Sequence, residues 1–201
     1  MINSVCVFCG SSAGSRVSYK KAARDLGRML AEKGITLIYG GSNVGLMAII
    51  ADEALAHGGK VIGVMPDSLI EKEVAHPGLT QFVQVHTMSE RKDVMMEMAD
   101  AFIAMPGGVG TLDELFEVMS WNQLGLMQKP MGLLNTDHYW DLLLAFLDHS
   151  VTEKFVRSEH RSNLISEESV SELMAALTNY NPLEVANKDW IAGLRSTMLT
   201  D

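Results

Sequence analysis

The sequence predicts an α/β fold, a Rossmann-like doubly wound parallel sheet with helices on both faces. Short apolar runs alternate with longer stretches in which apolar residues recur at helical spacing. Glycine-rich turns separate several of these runs from the stretches that follow them. Strands that alternate with helices in this way form βαβ units, and such units build a parallel sheet with a helical layer on each face.

Length and composition predict one domain. The 201 residues are 47% apolar and 20% charged, which suits a globular protein with one sizeable core. No repeat or low-complexity linker marks a boundary. We therefore expect a single Rossmann-like domain over residues 1–180, followed by a C-terminal tail over residues 181–201 that forms one more helix around Trp190 and Leu194.

The first half of the chain alternates apolar runs with helical patterns. The first helix carries its apolar residues on one side and stops at Gly34, because glycine commonly ends helices. The second helix follows a glycine turn and closes at Gly58 and Gly59. This half predicts strands over residues 4–9, 35–39 and 61–65 and helices over residues 18–33 and 46–57.

The second half begins with an irregular stretch, residues 67–80, that mixes charge with proline and glycine. Long irregular loops in compact domains are often functional. Thr87, followed three residues later by Glu90, forms a capping-box pattern that opens the next helix. This half predicts strands over residues 81–86, 101–105, 131–134 and 163–165 and helices over residues 87–99, 112–124, 139–149 and 169–177.

The stretch 101–117 organises the rest of the chain. An apolar run ends in a turn with three glycines, and a helical pattern starts at Leu112. A strand, a glycine turn and a helix present free backbone N–H groups and the positive helix end to an anion. Glycine also lets a phosphate approach the backbone closely. We expect a phosphate at residues 107–111, with the carboxylates of Asp113 and Glu114 in the first helical turn about 5 Å away.

A second interpretation of this turn needs no ligand. Thr111 and Glu114 also fit a capping box, in which Thr111 is the N-cap and the Glu114 carboxylate accepts a hydrogen bond from the Thr111 N–H. Glycine-rich turns between strands and helices are common in α/β proteins that bind nothing there. The residues of the turn leave both interpretations open.

A pair of cations follows the fourth predicted strand, at the same carboxyl edge of the sheet. Arg91 and Lys92 fall in the first turn of a helix, where the helix dipole disfavours positive charge. Positions that break a local rule are often functional. The alternative is that Glu90 and Asp93 neutralise the two cations at a solvated helix end. In either case we expect Arg91 to lie at an exposed helix start.

Charge and hydropathy exclude several classes of function. The net charge of −9 argues against general binding to nucleic acids or anionic membranes. No apolar run approaches the ~20 residues that span a bilayer, and the N-terminal residues carry no charged leader. We therefore expect a cytoplasmic protein. The first glycine turn lacks the G-x-G-x-x-G spacing of dinucleotide-binding dehydrogenases, and no P-loop sequence occurs.

The two cysteines form a C-x-x-C pattern, which can mark a redox or zinc site. Cys6 and Cys9 lie within an apolar strand, where residues three apart point to opposite faces, and there is no second pair. We interpret both as buried structural cysteines. The six histidines show no metal-ligand spacing, and we expect neither a metal nor a cofactor.

Motifs spread over residues 5–180 resemble those of the Lonely Guy (LOG) family. The most specific are Met88-x-x-Arg91-Lys92 and Pro106-Gly107-Gly108-x-Gly110-Thr111-x-x-Glu114, which occur in the family's order. The other matching motifs lie at residues 5–12, 39–41, 45–47 and 61–66. Some members have been labelled lysine decarboxylases, but no motif here indicates a pyridoxal phosphate site.

The resemblance implies a homodimeric phosphoribohydrolase. Members of the family hydrolyse the N-glycosidic bond of cytokinin riboside 5′-monophosphates, and many hydrolyse AMP as well, to give the free base and ribose 5-phosphate. The family's catalytic arginine and glutamate fall on Arg91 and Glu114. The implied nucleotide contacts are Glu73, Lys92, Gly107, Gly108, Val109, Gly110, Thr111 and Ser120.

Departures from the family pattern are few. Ser120 stands where relatives carry threonine, a change that keeps the hydroxyl, and the turn at residues 42–43 and the tail beyond Asn181 also differ from the commonest pattern. The alternative function is a non-catalytic carrier of a nucleotide or cofactor, because carriers of molybdenum cofactor have similar glycine turns. Pairing of Arg91 with Glu114 favours the enzyme, because binding alone does not require it.

Overall fold

The computed structural model describes residues 1–70 and 75–182, which form one sheet of seven strands with helices on both faces. The strands are β1 Ser4–Phe8, β2 Thr36–Tyr39, β3 Val61–Pro66, β4 Gln81–Val85, β5 Ala101–Ala104, β6 Met131–Leu134 and β7 Leu164–Glu167. Their order is β4-β3-β2-β1-β5-β6-β7, and every neighbouring pair is parallel. The predicted fold class is therefore confirmed.

The helices connect successive strands. They are α1 Val17–Glu32, α2 Gly45–Ala56, α3 Asp67–Ile70, α4 Met88–Met98, α5 Val109–Leu124, α6 Asp141–Thr152, α7 Ser158–Ser162 and α8 Val170–Thr178, and a 3₁₀ turn at Thr136–His138 precedes α6. None of these helices is long and apolar enough to cross a bilayer.

Side chains alternate along the strands and fill a separate apolar core on each face of the sheet. On β1, Val5 and Val7 point into the core under α1, α2 and α8, whereas Cys6 and Phe8 point into the core under α4, α5 and α6. The free thiols of Cys6 and Cys9 are buried in opposite cores, which confirms that they diverge. Burial raises the pKa of both thiols well above their usual range, so both stay neutral.

Most predicted helices and strands are confirmed to within a few residues at each end. Two short helices were not predicted: α3 opens the stretch expected to be irregular, and α7 precedes β7. Both are only about one turn long, which is too short for an apolar period to show in the sequence. The predicted tail helix lies outside the described residues from position 183 onward.

The helix predicted to start at residue 139 begins instead at Asp141. The Asn135 side chain explains the delay, because its Oδ1 accepts the backbone N–H of Trp140 at 2.7 Å and its Nδ2 donates to the Asp141 carboxylate at 2.8 Å. These bonds fold the preceding residues into the 3₁₀ turn, in which Asp137 and His138 have φ of 53° and 59°.

The strand order determines where the functional edge lies. β1 sits inside the sheet, paired with β2 on one side and with β5 on the other. The chain therefore builds outward from β1 to β4, returns to the centre, and builds outward in the other direction from β5. In such sheets a crevice opens beyond the carboxyl ends of the two strands at which the order reverses. The glycine turns after β1 and β5 meet at that crevice.

Candidate active site

Helix α5 begins directly at the glycine turn that follows β5. Its N-cap is Gly108, and the backbone N–H of Leu112 donates to the Gly108 carbonyl at 3.1 Å. The N–H groups of the first turn, residues 109–111, therefore have no acceptor within the helix. This helix end has the geometry that favours a phosphate, as the sequence predicts.

The observed start of α5 corrects two expectations. The capping-box interpretation is wrong, because Thr111 lies within the first turn and no side chain caps the helix. Asp113 and Glu114 lie in the second turn rather than the first. The physical reason is that glycine is itself an acceptable N-cap residue, so Gly108 starts the helix before the stronger capping residue is reached.

The glycines of this turn differ in their surroundings. A Cβ at Gly107 would lie 2.1 Å from Thr111 Oγ1 and 2.9 Å from the nitrogen of Gly10, so no side chain fits there. The Gly10 N–H donates at 3.1 Å to the carbonyl that precedes Gly107, which ties the turn after β1 to the turn after β5. A Cβ at Gly108 or Gly110 would meet nothing within 4 Å, so this side of the helix end faces open space.

A cavity of about 280 Å³ lies at this helix end. It brings together the predicted catalytic pair, Arg91 and Glu114, with four of the predicted phosphate-binding residues, 108–111. Asp113, predicted to lie beside the phosphate, also lines it. The sequence did not assign the rest of the lining to the site, namely the apolar Val7, Phe8, Met47, Leu69 and Met88, with Cys9, Gly10, Ser11 and Gly40.

Arg91 is buried, with 7% of its surface exposed, so the expectation of an exposed helix start is wrong. Its Nε donates to the carbonyl oxygen of Val64 on β3 at 3.1 Å, and its Nη1 lies 3.9 Å from the sulfur of Met88, one helical turn earlier. The side chain therefore turns inward over the end of β3 instead of outward from α4. This contact joins residues far apart in the chain, so the pattern around Arg91 did not reveal it.

Gly40 makes room for the guanidinium. A Cβ at position 40 would lie 2.0 Å from Arg91 Nη2 and 3.1 Å from the sulfur of Met47. A contact below 3 Å forces one of the groups to move, so a side chain at position 40 is incompatible with the observed position of Arg91. The sequence shows the Tyr39-Gly40-Gly41 motif, but it does not show that Arg91 packs against Gly40.

Glu114 faces Arg91 across the cavity. Its side chain is 12% exposed, and its Oε1 lies 3.9 Å from Arg91 Nη2. That distance exceeds a hydrogen bond, so the two groups interact by charge. Burial raises the pKa of Glu114 from 4.5 to about 7, and the positive charge of Arg91 opposes part of this rise. The carboxyl group is therefore able to gain or lose a proton near neutral pH.

Comparison with known proteins assigns the family. The model of the family described as "Possible lysine decarboxylase" matches residues 47–177. The chain is 44% identical over 189 residues to the Arabidopsis thaliana cytokinin riboside 5′-monophosphate phosphoribohydrolase LOG1, covering 92% of this chain and 89% of that protein. It is 46% identical over 178 residues to the enzyme named LOG of Oryza sativa subsp. japonica, covering 89% and 74%. The chain belongs to the LOG family.

Solved structures support the LOG fold. The molybdenum cofactor binding protein from Rippkaea orientalis superposes with a TM-score of 0.66 at 24% identity, covering 88% of this chain and 97% of that one. The molybdenum cofactor carrier protein from Chlamydomonas reinhardtii gives 0.65 at 19% identity, covering 87% and 95%. At these identities the likeness shows a shared fold and nothing more.

Lys92, the second cation of the LOG motif, does not line the cavity. Its Nζ lies 2.7 Å from a Glu117 carboxylate oxygen and 3.1 Å from one of Asp113, both on α5. The hydrogen bond with Glu117 contributes most to raising the pKa of Lys92, so the ammonium stays charged. The alternative interpretation, neutralisation by Glu90 and Asp93, is wrong for Lys92, which pairs with these two carboxylates instead. Lys92 thereby joins α4 to α5 behind the pair that faces the cavity.

The other LOG residues named from the resemblance fall in three places. Gly107 lies behind the cavity wall, packed on Thr111. Ser120 is exposed and lines a separate cavity of about 120 Å³ with Phe116 and Leu147, so the structure does not bring it to Arg91. Glu73 lies outside the described residues.

The charged groups near the cavity do not form a metal site among the described residues. Over residues 1–70 and 75–182, no group of three or more histidine, cysteine, aspartate or glutamate side chains is placed to hold a metal ion. The chemistry available to the described residues is that of a buried carboxyl group, a guanidinium and a helix N-terminus.

Proposed function

We propose that this LOG-family protein is a phosphoribohydrolase that cleaves the N-glycosidic bond of nucleoside 5′-monophosphates. Its substrates are cytokinin riboside 5′-monophosphates, AMP or both, and its products are the free base and ribose 5-phosphate. The observation that carries the proposal is the facing pair of Arg91 and Glu114 in a cavity walled by the open N-terminus of α5. The phosphoribohydrolase activity for which relatives at 44–46% identity are named supports it.

The helix end would hold the 5′-phosphate. The N–H groups of residues 109–111 point out of the first turn of α5, and the space beside Gly108 and Gly110 is open. Backbone donors and the positive helix end together favour a phosphate dianion. A phosphate at this end places the ribose within reach of the second turn of α5, where Glu114 projects into the cavity.

Glu114 and Arg91 would act on the glycosidic bond. Cleavage of such bonds passes through an oxocarbenium-like state with positive charge on the ribose. The ionised carboxylate of Glu114 stabilises that charge and aligns the attacking water. The guanidinium of Arg91, held by Val64 and Met88, orients the nucleotide and favours departure of the base. Arg91 also favours the ionised form of Glu114.

The test of the proposal is to incubate the purified protein with AMP and with isopentenyladenosine monophosphate and to separate the products by chromatography. We expect free base and ribose 5-phosphate in equal amounts from at least one of the two. Intact nucleotides that nevertheless bind the protein would favour the alternative, a non-catalytic nucleotide carrier of this fold.

Substrate form is the first specific prediction. Because the phosphate is bound through several charge-assisted hydrogen bonds, each worth about 1.5–3 kcal/mol, adenosine should react with a kcat/KM at least about 100-fold below that of AMP. Release of adenine is measured from both at equal concentration. Comparable rates for adenosine and AMP contradict a phosphate site at the N-terminus of α5.

We also propose that the protein is a homodimer. Leu142 and Phe146 lie one turn apart on α6 and are 86% and 60% exposed, and Phe155 just beyond is 82% exposed. Large apolar side chains grouped in this way mark an association surface. A second copy of the chain is the occupant that the family resemblance implies.

Light scattering at micromolar concentration tests the dimer. We expect twice the mass of the 22.0 kDa chain for the wild type and a monomer mass for Phe146→Asp. The matched control is Val17→Asp on α1, which is 78% exposed on the opposite face of the sheet and should leave the dimer intact. A wild-type protein that scatters as a monomer contradicts the proposal.

A further inference from the structure

The glycine turn before α5 has a second side, away from Arg91 and Glu114, where a tyrosine contacts it. The hydroxyl of Tyr139 donates a hydrogen bond to the carbonyl oxygen of Gly107 at 2.5 Å. The Tyr139 ring packs edge-on against Tyr19 and Trp140, with ring centres 5.8 Å and 4.8 Å away. This aromatic contact fixes the ring, so the hydroxyl approaches the turn from one direction.

The Gly107–Gly108 peptide then has a defined orientation. It is a trans peptide, and in a planar trans unit the C=O of one residue and the N–H of the next point in opposite directions. The Gly107 carbonyl points to the Tyr139 hydroxyl. Both residues line a separate cavity of about 320 Å³. The Gly108 N–H therefore points away from Tyr139. Gly108 lies between this cavity and the one that contains Arg91 and Glu114, since it lines both. An N–H that points away from Tyr139 therefore points to the side of Arg91 and Glu114.

The Tyr139 hydroxyl supplies the hydrogen bond that fixes the direction of the Gly107 carbonyl. Both of its residues are glycines, and glycine allows backbone rotations that a Cβ forbids. A Cβ at Gly108 would meet nothing within 4 Å, so packing on that side of the residue does not oppose a rotation of the peptide. A rotated peptide would turn the Gly107 carbonyl oxygen toward the helix end. A phosphate there would meet a repelling oxygen in place of the donating Gly108 N–H.

The turn that places Tyr139 is strained and firmly held. Asp137 and His138 have φ of 53° and 59°, a region that residues with a side chain rarely adopt. The Asp137 carboxylate pairs with Arg16 at 3.3 Å and accepts a hydrogen bond from the Ser18 hydroxyl, both at the start of α1. Strain of this kind persists only where the surroundings impose it, and it is concentrated at functional sites.

The geometry points to Tyr139 as a positioning residue that orients the Gly107–Gly108 peptide so that the Gly108 N–H faces the phosphate of the substrate. The inference rests on the proposed function in taking a phosphate as the ligand of the α5 N-terminus. The inference adds Tyr139 to the phosphate site. This residue lies on the far side of the turn and acts on the phosphate only through the peptide.

The test is Tyr139→Phe, which removes the hydroxyl and keeps the ring. A hydrogen bond from the Gly108 N–H to a charged phosphate is made equally in the ground state and the transition state. Its loss should therefore raise KM for AMP about 10- to 100-fold while kcat stays within about threefold. The dissociation constant of ribose 5-phosphate, measured by calorimetry, should rise by the same factor.

The matched control is Tyr19→Phe, which removes the hydroxyl of the ring that packs against Tyr139. It should leave KM, kcat and ribose 5-phosphate binding at wild-type values. A Tyr139→Phe variant with wild-type KM and wild-type affinity for ribose 5-phosphate overturns the inference. So does a variant that loses thermal stability and kcat but not phosphate affinity, because that result assigns Tyr139 a structural role.

Failure of the proposed function gives a different result. If the wild type releases no base but binds ribose 5-phosphate, the hydrolase proposal fails, and the calorimetric comparison of the two variants still decides the role of Tyr139. If the wild type does not bind ribose 5-phosphate, the positioning role is overturned as well, since the turn then holds no phosphate.

Discussion

Glu114→Gln is expected to slow the release of adenine from AMP at least about a hundredfold while leaving the fold intact. Glutamine has the same shape as glutamate, and α5 does not use this residue as a cap, so the helix start is unaffected. The variant lacks the negative charge that stabilises the developing ribose cation, and removing one preorganised electrostatic group typically lowers turnover about 10²- to 10³-fold. Steady-state turnover and the melting temperature are the two measurements.

The pH dependence of stability gives an independent check on Glu114. Burial holds its pKa at about 7, above the ordinary value of 4.5, so the folded protein binds this proton more tightly than the unfolded chain does. The contribution of this group to the free energy of unfolding is fully present below pH 4.5 and is lost as pH rises through 7. The loss is on the order of 3 kcal/mol. Glutamine does not titrate, so Glu114→Gln should gain stability relative to wild type between about pH 5 and pH 8 in urea unfolding.

Asp113→Asn distinguishes the catalytic role of Glu114 from that of the neighbouring carboxylate. Asp113 also borders the cavity, but its side chain is 57% exposed and pairs with Lys92. Turnover in this variant should stay within about tenfold of wild type, because an exposed pair contributes little. If Asp113→Asn loses activity and Glu114→Gln keeps it, the carboxylate that stabilises the cation is Asp113.

Arg91→Lys should lower turnover by about 10²-fold or more, nearly as much as Arg91→Ala. The guanidinium uses Nε to bind the Val64 carbonyl while Nη2 faces Glu114, and a single ammonium cannot occupy both positions. Because Arg91 is buried, the alanine variant should also lose about 1–3 kcal/mol of stability, as the Val64 carbonyl and Glu114 lose their partner. A lysine variant with near-normal turnover would mean that only the charge matters.

Gly40→Ala tests the position of Arg91 without changing its chemistry. The new Cβ would lie 2.0 Å from Nη2, so the guanidinium must move away from its place opposite Glu114. We expect the turnover of Gly40→Ala to fall to within about tenfold of that of Arg91→Lys. The KM for AMP should change much less than turnover does. An active Gly40→Ala protein would show that the arginine acts from another position.

The fold was predictable from the sequence because its signals are local. The apolar run, the glycine turn and the helix around Gly108 follow one another directly in the chain, from Ala101 to Leu124. Cys6 and Cys9 are likewise only three positions apart. Period and turn residues are sufficient to identify such units. The meeting of the turns after β1 and β5 follows from the general rule for parallel sheets.

The details of the site were less predictable because they depend on contacts between distant residues. Nothing near Arg91 in the chain shows that Val64 accepts its hydrogen bond or that Gly40 leaves space for it. The start of α5 was placed too late because Thr111 is a better capping residue than Gly108, although glycine suffices. Tyr139 was assigned only to a helix, since its hydrogen-bond partner is 32 positions away.

Gly40 offers a way to sort proteins that share this architecture. A carrier and a hydrolase can have the same sheet, the same glycine turn and the same affinity for phosphate, so overall superposition does not separate them. We expect the space above the end of β2 to separate them. In a related chain with a side chain at the position of Gly40, the arginine must adopt a different position from the one observed here, and we expect such a chain to hold its nucleotide intact.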